Sequence, residues 1–387
     1  MKNTLFIASR LKYRRRIVTV SIAISYIVMI VAMAVSAGFR CEVSDALSQV
    51  GGDIQLCPAN MSILEESQPV NASPAYLPLI EDVQGVESVN PAIYRAGIVK
   101  VGDNIHGVVV KGIETSDTSA LAVSIPRRLS EAGEISIGDK MMTYFVGNKI
   151  RVRNFNVTSI YDPQIETDDR FVVYASLGDI QRLNAWSENQ VSMLEIRMKP
   201  DYRGVEQIET AAQEIASIAY SYTSEDEAPV YVTSTPSRYP QLFDWLNLLD
   251  FNVLFVLVLM MIVAGFNMIS GLLITLFENI STIGIFKAMG MKNRQIAGIF
   301  LTSSATTIFK GMSIGNIVAC VLCLIEDRFH LLKLDAANYF VSFVPVNLDI
   351  VSVLTVDVIS FALIMLLLLI PCAFISRIDP AKTMRVR

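Results

Sequence analysis

Four stretches of the chain are apolar enough and long enough to cross a membrane as helices: residues 17–39, 251–277, 296–325 and 351–375. A spanning helix needs about 20 mostly apolar residues. The first two stretches carry no charge, the third contains Lys310, and the fourth has Asp357 near its start. The pattern predicts an α-helical membrane protein with four transmembrane helices and one large domain, residues 40–250, between the first and the second.

The large domain alternates strand and helix patterns. Helical periodicity is found at 177–186 and 205–220, and Val- and Ile-rich segments predict strands at 86–101, 107–113, 149–160, 171–175 and 191–198. Clusters of Gly, Asp and Asn or Lys at 102–104 and 138–140 predict turns. We therefore expect an α+β domain with a β-rich middle.

Helical periodicity continues past the membrane at both edges of this domain, which predicts two stalk helices. Their apolar positions are Phe39, Val43, Leu47, Leu242, Leu246 and Leu249. Trp245 would lie at the membrane surface, where Trp is enriched. Two rigid stalks can carry a movement of the membrane helices into the outer domain, and the alternative is amphipathic padding at the membrane surface.

Composition excludes several classes of protein. Of the 387 residues, 52% are apolar and only 18% are charged, with a mean hydropathy of +0.46. Soluble domains carry about 25% charged residues. Disorder, collagen and a disulfide miniprotein are excluded, and a wholly soluble enzyme is disfavoured. A net charge of −5 with two histidines argues against nucleic-acid binding and against a His-rich metal site.

Loop charges orient the predicted helices. The segments 1–16, 278–295 and 376–387 are basic, whereas 326–350 holds more acids than bases. The positive-inside rule then puts both termini in the cytoplasm, and residues 40–250 and 326–350 outside. The large domain agrees, with 16 basic and 30 acidic residues.

The first apolar stretch has an alternative interpretation as a cleaved signal peptide, because Val35-Ser36-Ala37 is similar to a cleavage site. Its apolar run is longer than the 7–15 residues of a signal h-region, so we expect an uncleaved anchor. Cys41 and Cys57 follow this stretch. They would pair in an oxidising compartment or stay reduced, and the residues alone leave both open.

The sequence contains no motif typical of a catalytic site. It has no G-x-x-x-x-G-K-[ST] for nucleotide binding, no H-E-x-x-H and no G-x-S-x-G. We expect a non-catalytic chain that binds no ATP through a P-loop of its own and holds no cofactor or metal.

Residues 278–291, between the second and third spans, predict a short cytoplasmic helix. Glu278 at its start and Lys287 near its end suit the helix dipole, and Gly290 suits a C-cap. One apolar edge consists of Ile285, Ala288 and Met289, and another of Ile283 and Phe286. Two apolar edges need something to bury them, which is either a lipid surface or a soluble partner.

This segment matches E-x-x-x-x-I-G-I-x-K-A-x-G-M and resembles the coupling segment of the FtsX/MacB/LolC-type ABC transporter permeases, closest to the lipoprotein-releasing permeases LolC and LolE. Segments 6–10, 339–346 and 378–385 resemble the start, the last outer loop and the terminal segment of that branch. The layout of one span, a large outer domain and three spans is also that of the family. Residues 279–282 are uncharged, where the family usually has basic or Arg-Glu residues.

The resemblance implies a coupling helix that docks on a cytoplasmic ABC ATPase dimer, which binds ATP and Mg²⁺. The docking residues would be Glu278, Ile283, Gly284, Ile285, Lys287, Ala288, Met289 and Gly290. It further implies a second permease, homotypic or related, and a bacterial inner-membrane location. A lipoprotein would be extracted from that membrane and passed to a periplasmic carrier. The outer domain would be a porter-like α+β unit with a β-rich insertion at about 112–165.

Two intramembrane features accompany the resemblance. Gly311, Gly315 and Ala319 recur every four residues and would permit close helix packing. Lys310 lies about mid-span, where a charge is costly and a functional candidate by default. It would contact a lipid headgroup or an acid of the second permease. The alternative is a shifted helix boundary that lets Lys310 reach the membrane surface.

Three other functions remain open at this stage. A MacB-like efflux permease normally carries its own ATPase, and an FtsX-like regulator of cell-wall hydrolases typically has a smaller outer domain. A membrane-anchored sensor or adhesion protein without an ATPase is disfavoured by the coupling segment.

Overall fold

The computed structural model describes residues 15–59, 61, 68–101, 104–115, 119–147, 150–163, 171–223, 229–335, 341 and 343–373. Its contacts divide the chain into two compact units. The first contains Met1–Cys41, Trp245–Lys333 and Phe343–Arg387, and the second contains Glu42–Asp244 and Leu334–Ser342. The matched segments 6–10 and 378–385, and part of 339–346, lie outside the described residues.

The helices, in chain order, are α1 (Arg15–Gly51), α2 (Leu77–Glu81), α3 (Arg127–Gly133), α4 (Leu177–Asn184), α5 (Val205–Tyr222), α6 (Thr235–Arg238), α7 (Pro240–Glu278), α8 (Ile280–Ala288), α9 (Asn293–Phe329), α10 (Ile350–Leu367) and α11 (Leu369–Ala373). The strands are β1 (Ile54–Pro58), β2 (Val70–Asn71), β3 (Val86–Val101), β4 (Asn104–Ile113), β5 (Ala122–Pro126), β6 (Lys140–Phe145), β7 (Arg151–Tyr161), β8 (Phe171–Ser176), β9 (Gln190–Val191), β10 (Met193–Met198) and β11 (Val230–Ser234).

Four helical segments among the described residues are long and apolar enough to cross a membrane, as the sequence predicts: Arg16–Gly51, Pro240–Glu278, Asn293–Phe329 and Ile350–Ala373. Large apolar side chains on their outer surfaces are more than half exposed, among them Phe255, Phe266 and Val358. Such a surface suits lipid, because a water-soluble unit rarely exposes contiguous apolar patches of this kind.

The inner faces of these helices form one apolar core. Fully buried side chains come from all four long helices, including Tyr26, Ala264, Phe300 and Ile364. Gly265 permits a close approach between α7 and α10, since a Cβ there would lie 2.8 Å from Leu367 Cδ1. The long helices therefore pack against one another rather than standing separately.

The second unit is built on a nine-stranded sheet in the order β11-β1-β10-β3-β4-β8-β5-β7-β6, with an additional pairing of β3 and β6. That pairing closes six strands, from β3 around to β6, into a barrel-like ring. Strand β3 is long enough to serve both parts: residues 86–92 pair with β10, and residues 93–101 pair with β4. The predicted α+β domain between the first and second spans is confirmed.

The apolar core of the second unit contains side chains from the strands and from helix α5. Inside the ring, Phe145 and Phe155 make an edge-to-face contact with centroids 6.2 Å apart. Helix α5 belongs to the same apolar core through Ile208, Ala211 and Ile215. Of the insertion predicted at 112–165, strands β5, β6 and β7 belong to the ring, whose other strands are β3, β4 and β8. Its boundaries stay a prediction.

Candidate functional site

Helix α8 has a C-terminal cap that the sequence encodes, and Asn279 bonds to the last turn of the helix before it. Asn279 lies between α7 and α8, and its Nδ2 donates to Thr275 O at 2.9 Å. At the other end, Gly290 N donates to Lys287 O and Met291 N to Phe286 O, both at 3.0 Å. These two bonds form a Schellman cap with Gly290 at φ +85°. The chain therefore turns sharply before and after a short helix.

The two apolar edges of α8 have different surroundings. Ile283 is fully buried in the core of the first unit, and Phe286 packs against the same core. Ile285 is 51% exposed and Met289 is 78% exposed. Gly284 is buried, whereas Glu278, Ala288 and Gly290 are exposed, and Lys287 is half-buried. One edge thus attaches the helix to the membrane helices, and the other presents apolar side chains outward.

Replacing Gly290 by Val is expected to weaken this helix end. A Cβ at Gly290 meets nothing within 4 Å, so the cost comes from backbone strain at positive φ alone. That strain is about 1–2 kcal/mol for a non-glycine residue. Thermal unfolding in detergent should show a lower melting temperature for Gly290→Val, and a smaller decrease for Gly290→Asn, because Asn tolerates this region better. Equal melting of both variants and the wild type would contradict the cap.

The small residues of α9 lie against α1. A Cβ at Gly311 would lie 2.7 Å from Ile22 Cγ2, and one at Gly315 would lie 2.8 Å from Ala23 O. Ala319, the third predicted small residue, is fully buried. The two helices are therefore in direct contact here, because α9 has no side chain at Gly311 and Gly315 to separate its backbone from α1.

Lys310 lies immediately before Gly311 but its side chain is exposed. Its neighbour Phe309 is also exposed, at 59%. The lysine thus lies on a surface of the first unit rather than in its core. Its contact with a headgroup or with a second permease stays a prediction.

Polar contacts between the long helices were not predicted from the sequence. Tyr26 on α1 shares a 2.6 Å hydrogen bond with Ser360 on α10, and Asn316 Nδ2 on α9 donates to Asp357 Oδ2 on α10 at 2.6 Å. Asp357 was visible as an acid in an apolar stretch, which is the signal that identifies such a site. These contacts add directional bonds to the apolar packing.

The stalk positions are distributed over both units. In the first unit, Phe39 packs edge-to-face on Trp245 with centroids 5.9 Å apart, and Arg40 forms a salt bridge with Asp250. Leu246 is buried and Leu249 is half-buried. In the second unit, Val43, Leu47 and Leu242 are buried. Apart from Leu249, the predicted apolar positions are thus buried in the structure.

A buried charged cluster in the outer domain was also missed. Lys111 Nζ donates to Glu195 Oε2 at 2.7 Å, and Tyr94 OH donates to Glu195 Oε1 at 2.6 Å. Burial lowers the pKa of the Lys111 ammonium, while Glu195 acts in the opposite direction. Burial, and secondarily Glu195, raise the pKa of the Tyr94 hydroxyl well above its usual value. The signal was a lysine inside an apolar strand, which requires a buried partner.

The cysteines and the possible metal ligands add no further site. Cys57 is buried, and burial raises the pKa of its thiol, whereas Cys41 is exposed on α1. Among the described ranges, no three His, Cys, Asp or Glu side chains are grouped as metal ligands.

Two family models match the chain. The MacB-like periplasmic core domain matches residues 17–218, and the FtsX-like permease C-terminal model matches residues 254–380. The first covers more than half of the chain. Together they take in the first span, the large domain as far as residue 218, and the last three spans from residue 254 onward, and they confirm the resemblance drawn from the coupling segment.

Curated relatives extend over most of the chain at low identity. The lipoprotein-releasing system transmembrane protein LolE of Haemophilus influenzae is 21% identical, over 94% of this chain and 92% of that protein. LolC of Xylella fastidiosa is 21% identical with the same coverage. LolC of Buchnera aphidicola is 20% identical over 62% of this chain, and the match spans 55% of that relative's length.

Solved structures with similarity include the periplasmic region of MacB from Actinobacillus actinomycetemcomitans, at 13% identity and a TM-score of 0.33, covering 50% of this chain and 93% of that one. The extracellular domain of the transporter YknZ from Gram-positive bacteria is 12% identical with a TM-score of 0.30, covering 47% of this chain and 99% of that one.

Proposed function

The chain belongs to the family of ABC transporter permeases with a MacB-like periplasmic core domain and an FtsX-like C-terminal domain, and we propose that it extracts lipoproteins from the bacterial inner membrane. It would do so without catalysing a reaction itself. A separate cytoplasmic ABC ATPase dimer would bind ATP and Mg²⁺, and a periplasmic carrier would receive the lipoprotein. A second permease, identical or related, would complete the transporter.

The observation that carries the transporter mechanism is the division of α8 into two edges. Ile283 and Phe286 attach it to the membrane helices, while Ile285 and Met289 remain outward and apolar. A groove on the ATPase would bury that outward edge. The substrate class is supported by relatives named as lipoprotein-releasing proteins that align over 94% of this chain.

The force would pass from α8 through packed helices. Closure of the ATPase pushes α8, whose buried edge contacts the core that includes Ile296 and Phe300 of α9. Helix α9 then moves α1 at Gly311 and Gly315, where the backbones approach closely. Helix α1 runs without interruption from Arg15 to Gly51, so its outward end moves with it. A lipoprotein would enter sideways between α1 and α7 of the two permeases.

Both termini and α8 would be cytoplasmic, with the outer domain in the periplasm. A membrane-impermeant maleimide added from the periplasmic side should label Cys41, which is exposed, and not Cys57, which is buried with a raised thiol pKa. A Met289→Cys variant on a Cys41→Ser background should be labelled only after the inner membrane is permeabilised. Labelling of Met289→Cys in sealed cells would reverse the proposed orientation.

The rival functions use the same fold. A MacB-like efflux permease would couple to a periplasmic adaptor and an outer-membrane duct, and an FtsX-like permease would couple to a cell-wall hydrolase. A sensor or adhesion protein would have no ATPase. The exposed apolar edge of α8 favours an ATPase partner over this last class.

The testing experiment is isolation of the full-length chain from native membranes in mild detergent, with mass spectrometry of co-purifying proteins. We expect a small cytoplasmic ABC ATPase together with acylated lipoproteins, and ATP-dependent transfer of those lipoproteins to a soluble carrier from proteoliposomes. An adaptor and duct, or a wall hydrolase, in place of lipoproteins would transfer the assignment to the corresponding rival. Absence of any ATPase from an intact complex would reject the transporter mechanism.

A further inference from the structure

The outward end of α1 lies inside the second unit and has its carbonyl groups bound by side chains. The last carbonyls of any α-helix lack partners within the helix. Val50 O accepts from Lys111 Nζ at 2.7 Å, and Tyr94 OH lies 2.9 Å from it and shares its one proton between Val50 O and Glu195 Oε1. Gly51 O accepts from Gln55 Nε2 at 2.8 Å. These carbonyl bonds come from strands β1, β3 and β4, so the sheet itself holds the helix end.

The same helix end is bound by the segment that leads into α7. Gly52 O accepts from Arg238 Nη2 at 2.8 Å. The Thr235 hydroxyl lies 2.8 Å from Asp53 O and 3.0 Å from Gly52 O, and its one proton serves these two carbonyls. Thr235 and Arg238 form α6, and α7 begins at Pro240. The end of the first long helix and the approach to the second are thus joined through hydrogen bonds to the carbonyls of Gly52 and Asp53.

The charges of this cluster suit its position. Lys111 and Arg238 place positive charge at the carboxyl end of α1, where the helix dipole is negative. Glu195 accepts from both Lys111 and Tyr94, so its carboxylate balances the ammonium, and Lys111 also donates to Val50 O. Lys111 is 2% exposed and Glu195 is 7% exposed. Such a buried pair is costly to desolvate and needs hydrogen bonds of this kind.

Two glycines leave room for the cluster. A Cβ at Gly51 would lie 2.9 Å from both Arg238 Nη1 and Gln55 Nε2, so a side chain would displace the groups that bind the helix end. Gly52 has φ +67°, a left-handed conformation that ends the helix. The helix therefore stops where the polar groups converge.

We propose that this cluster is the joint at which movement of α1 is passed to the outer domain and to the start of α7, with Lys111, Tyr94, Glu195 and Arg238 as positioning residues. The proposal rests on the proposed function, because it concerns how the same permease converts ATPase movement into work outside the membrane. The joint holds the helix end by directional bonds rather than by apolar contact alone. A displacement or rotation of α1 therefore moves the sheet together with the helix end.

The testing variant replaces the buried pair by apolar side chains of similar size, Lys111→Met with Glu195→Leu. Replacement of both partners avoids leaving one buried charge alone, and such exchanges are often tolerated by the fold. The matched control is Arg127→Met with Asp162→Leu, which removes an exposed pair between the start of α3 and the residue after β7, with side chains 57% and 67% exposed. Thr235→Val serves as a second and milder variant, because it removes only the hydroxyl that contacts the carbonyls of Gly52 and Asp53 and accepts from Arg238 Nη2.

The first readout is hydrogen–deuterium exchange of the amides of residues 48–55 in the full-length chain in detergent. The joint variant should exchange at least about tenfold faster there, and the control should match the wild type. This readout needs no transport. Unchanged exchange in the folded joint variant would overturn the joint.

The second readout is lipoprotein released per ATP hydrolysed in proteoliposomes that contain the whole transporter. The joint variant should keep ATP hydrolysis within about twofold of wild type and lose about tenfold or more in release per ATP, a split that a general loss of folding does not produce. Thr235→Val should show the same split to a smaller extent. A normal ratio in a variant with loosened exchange would overturn the proposal.

Failure of the proposed lipoprotein release can be distinguished from failure of the joint. If the wild-type transporter releases no lipoprotein at all, that function fails, and the joint is then tested by the ATP-dependent change in hydrogen exchange of the outer domain. That change should be present in the wild type and the control and absent in the joint variant. Its persistence in the joint variant would overturn the joint.

Discussion

Replacing Gly315 by Leu is expected to separate α9 from α1 and to lower the stability of the membrane unit by about 3 kcal/mol or more. A Cβ at this position would lie 2.7 Å from Tyr26 Cβ and 2.8 Å from Ala23 O, and the second of these atoms is backbone. Backbone cannot rotate away as a flexible side chain does, so one helix must shift. The shift would also strain the Tyr26–Ser360 hydrogen bond.

Thermal unfolding of the full-length chain in detergent measures this loss. A decrease in apparent melting temperature of about 5–10 °C is expected for a unit of this size. The control is Gly298→Leu on the same helix, because a Cβ at Gly298 meets nothing within 4 Å. Leucine also has the better helix propensity, so this control should melt at or slightly above the wild-type temperature. Equal melting of both variants would show that α1 and α9 do not pack at Gly315.

The four long helices of the membrane unit could be predicted from the sequence for a physical reason. Long apolar stretches leave few alternatives to a spanning helix, since every backbone polar group must be satisfied within the membrane. Spacing of four between Gly311 and Gly315 also predicts a close helix contact, because such residues lie on one helix face. The spacing does not identify the helix that packs against this face, which in the structure is α1 rather than α7 or α10.

In the outer domain, long strands were predictable and short ones were not. The predicted strand at 86–101 coincides with β3, whose Val and Ile content extends over many residues. Strands β1 and β5 have five residues each and end in Pro58 and Pro126. Short apolar runs do not distinguish strand from buried loop or helix, and proline lowers the strand signal further.

Long-range polar contacts are the part of the candidate site that no local pattern provides. Lys111 and Glu195 are 84 residues apart, and Thr235 reaches Gly52 across 183 residues. A lysine in an apolar strand signals that a partner exists but not which residue it is. By contrast, the two edges of α8 were predictable, because both depend only on helical periodicity within nine residues. Which edge is buried depends on the long helices beside it.

Replacing Ile285 by Asp is expected to weaken binding of the ATPase about 30-fold or more while leaving the permease folded. Ile285 is about half exposed, so the permease alone loses little on substitution. In the proposed complex the side chain is buried in a groove, where an isoleucine contributes about 1.5–3 kcal/mol and a carboxylate must in addition be desolvated. A loss of about 2 kcal/mol corresponds to about 30-fold weaker binding. Co-purification of the ATPase, and its stimulation by the permease, measure the effect.

Two controls separate loss of apolar contact from charge or misfolding. Ile285→Leu keeps an apolar side chain on the same edge and should capture the ATPase as the wild type does. Asn293→Asp adds the same charge at an exposed position at the start of α9, where an acid suits the helix dipole, and should also bind normally. If Ile285→Asp retained full ATPase capture, the outward edge of α8 would lie on lipid instead. The force would then have to enter the membrane helices elsewhere, because no other apolar edge of α8 remains unburied.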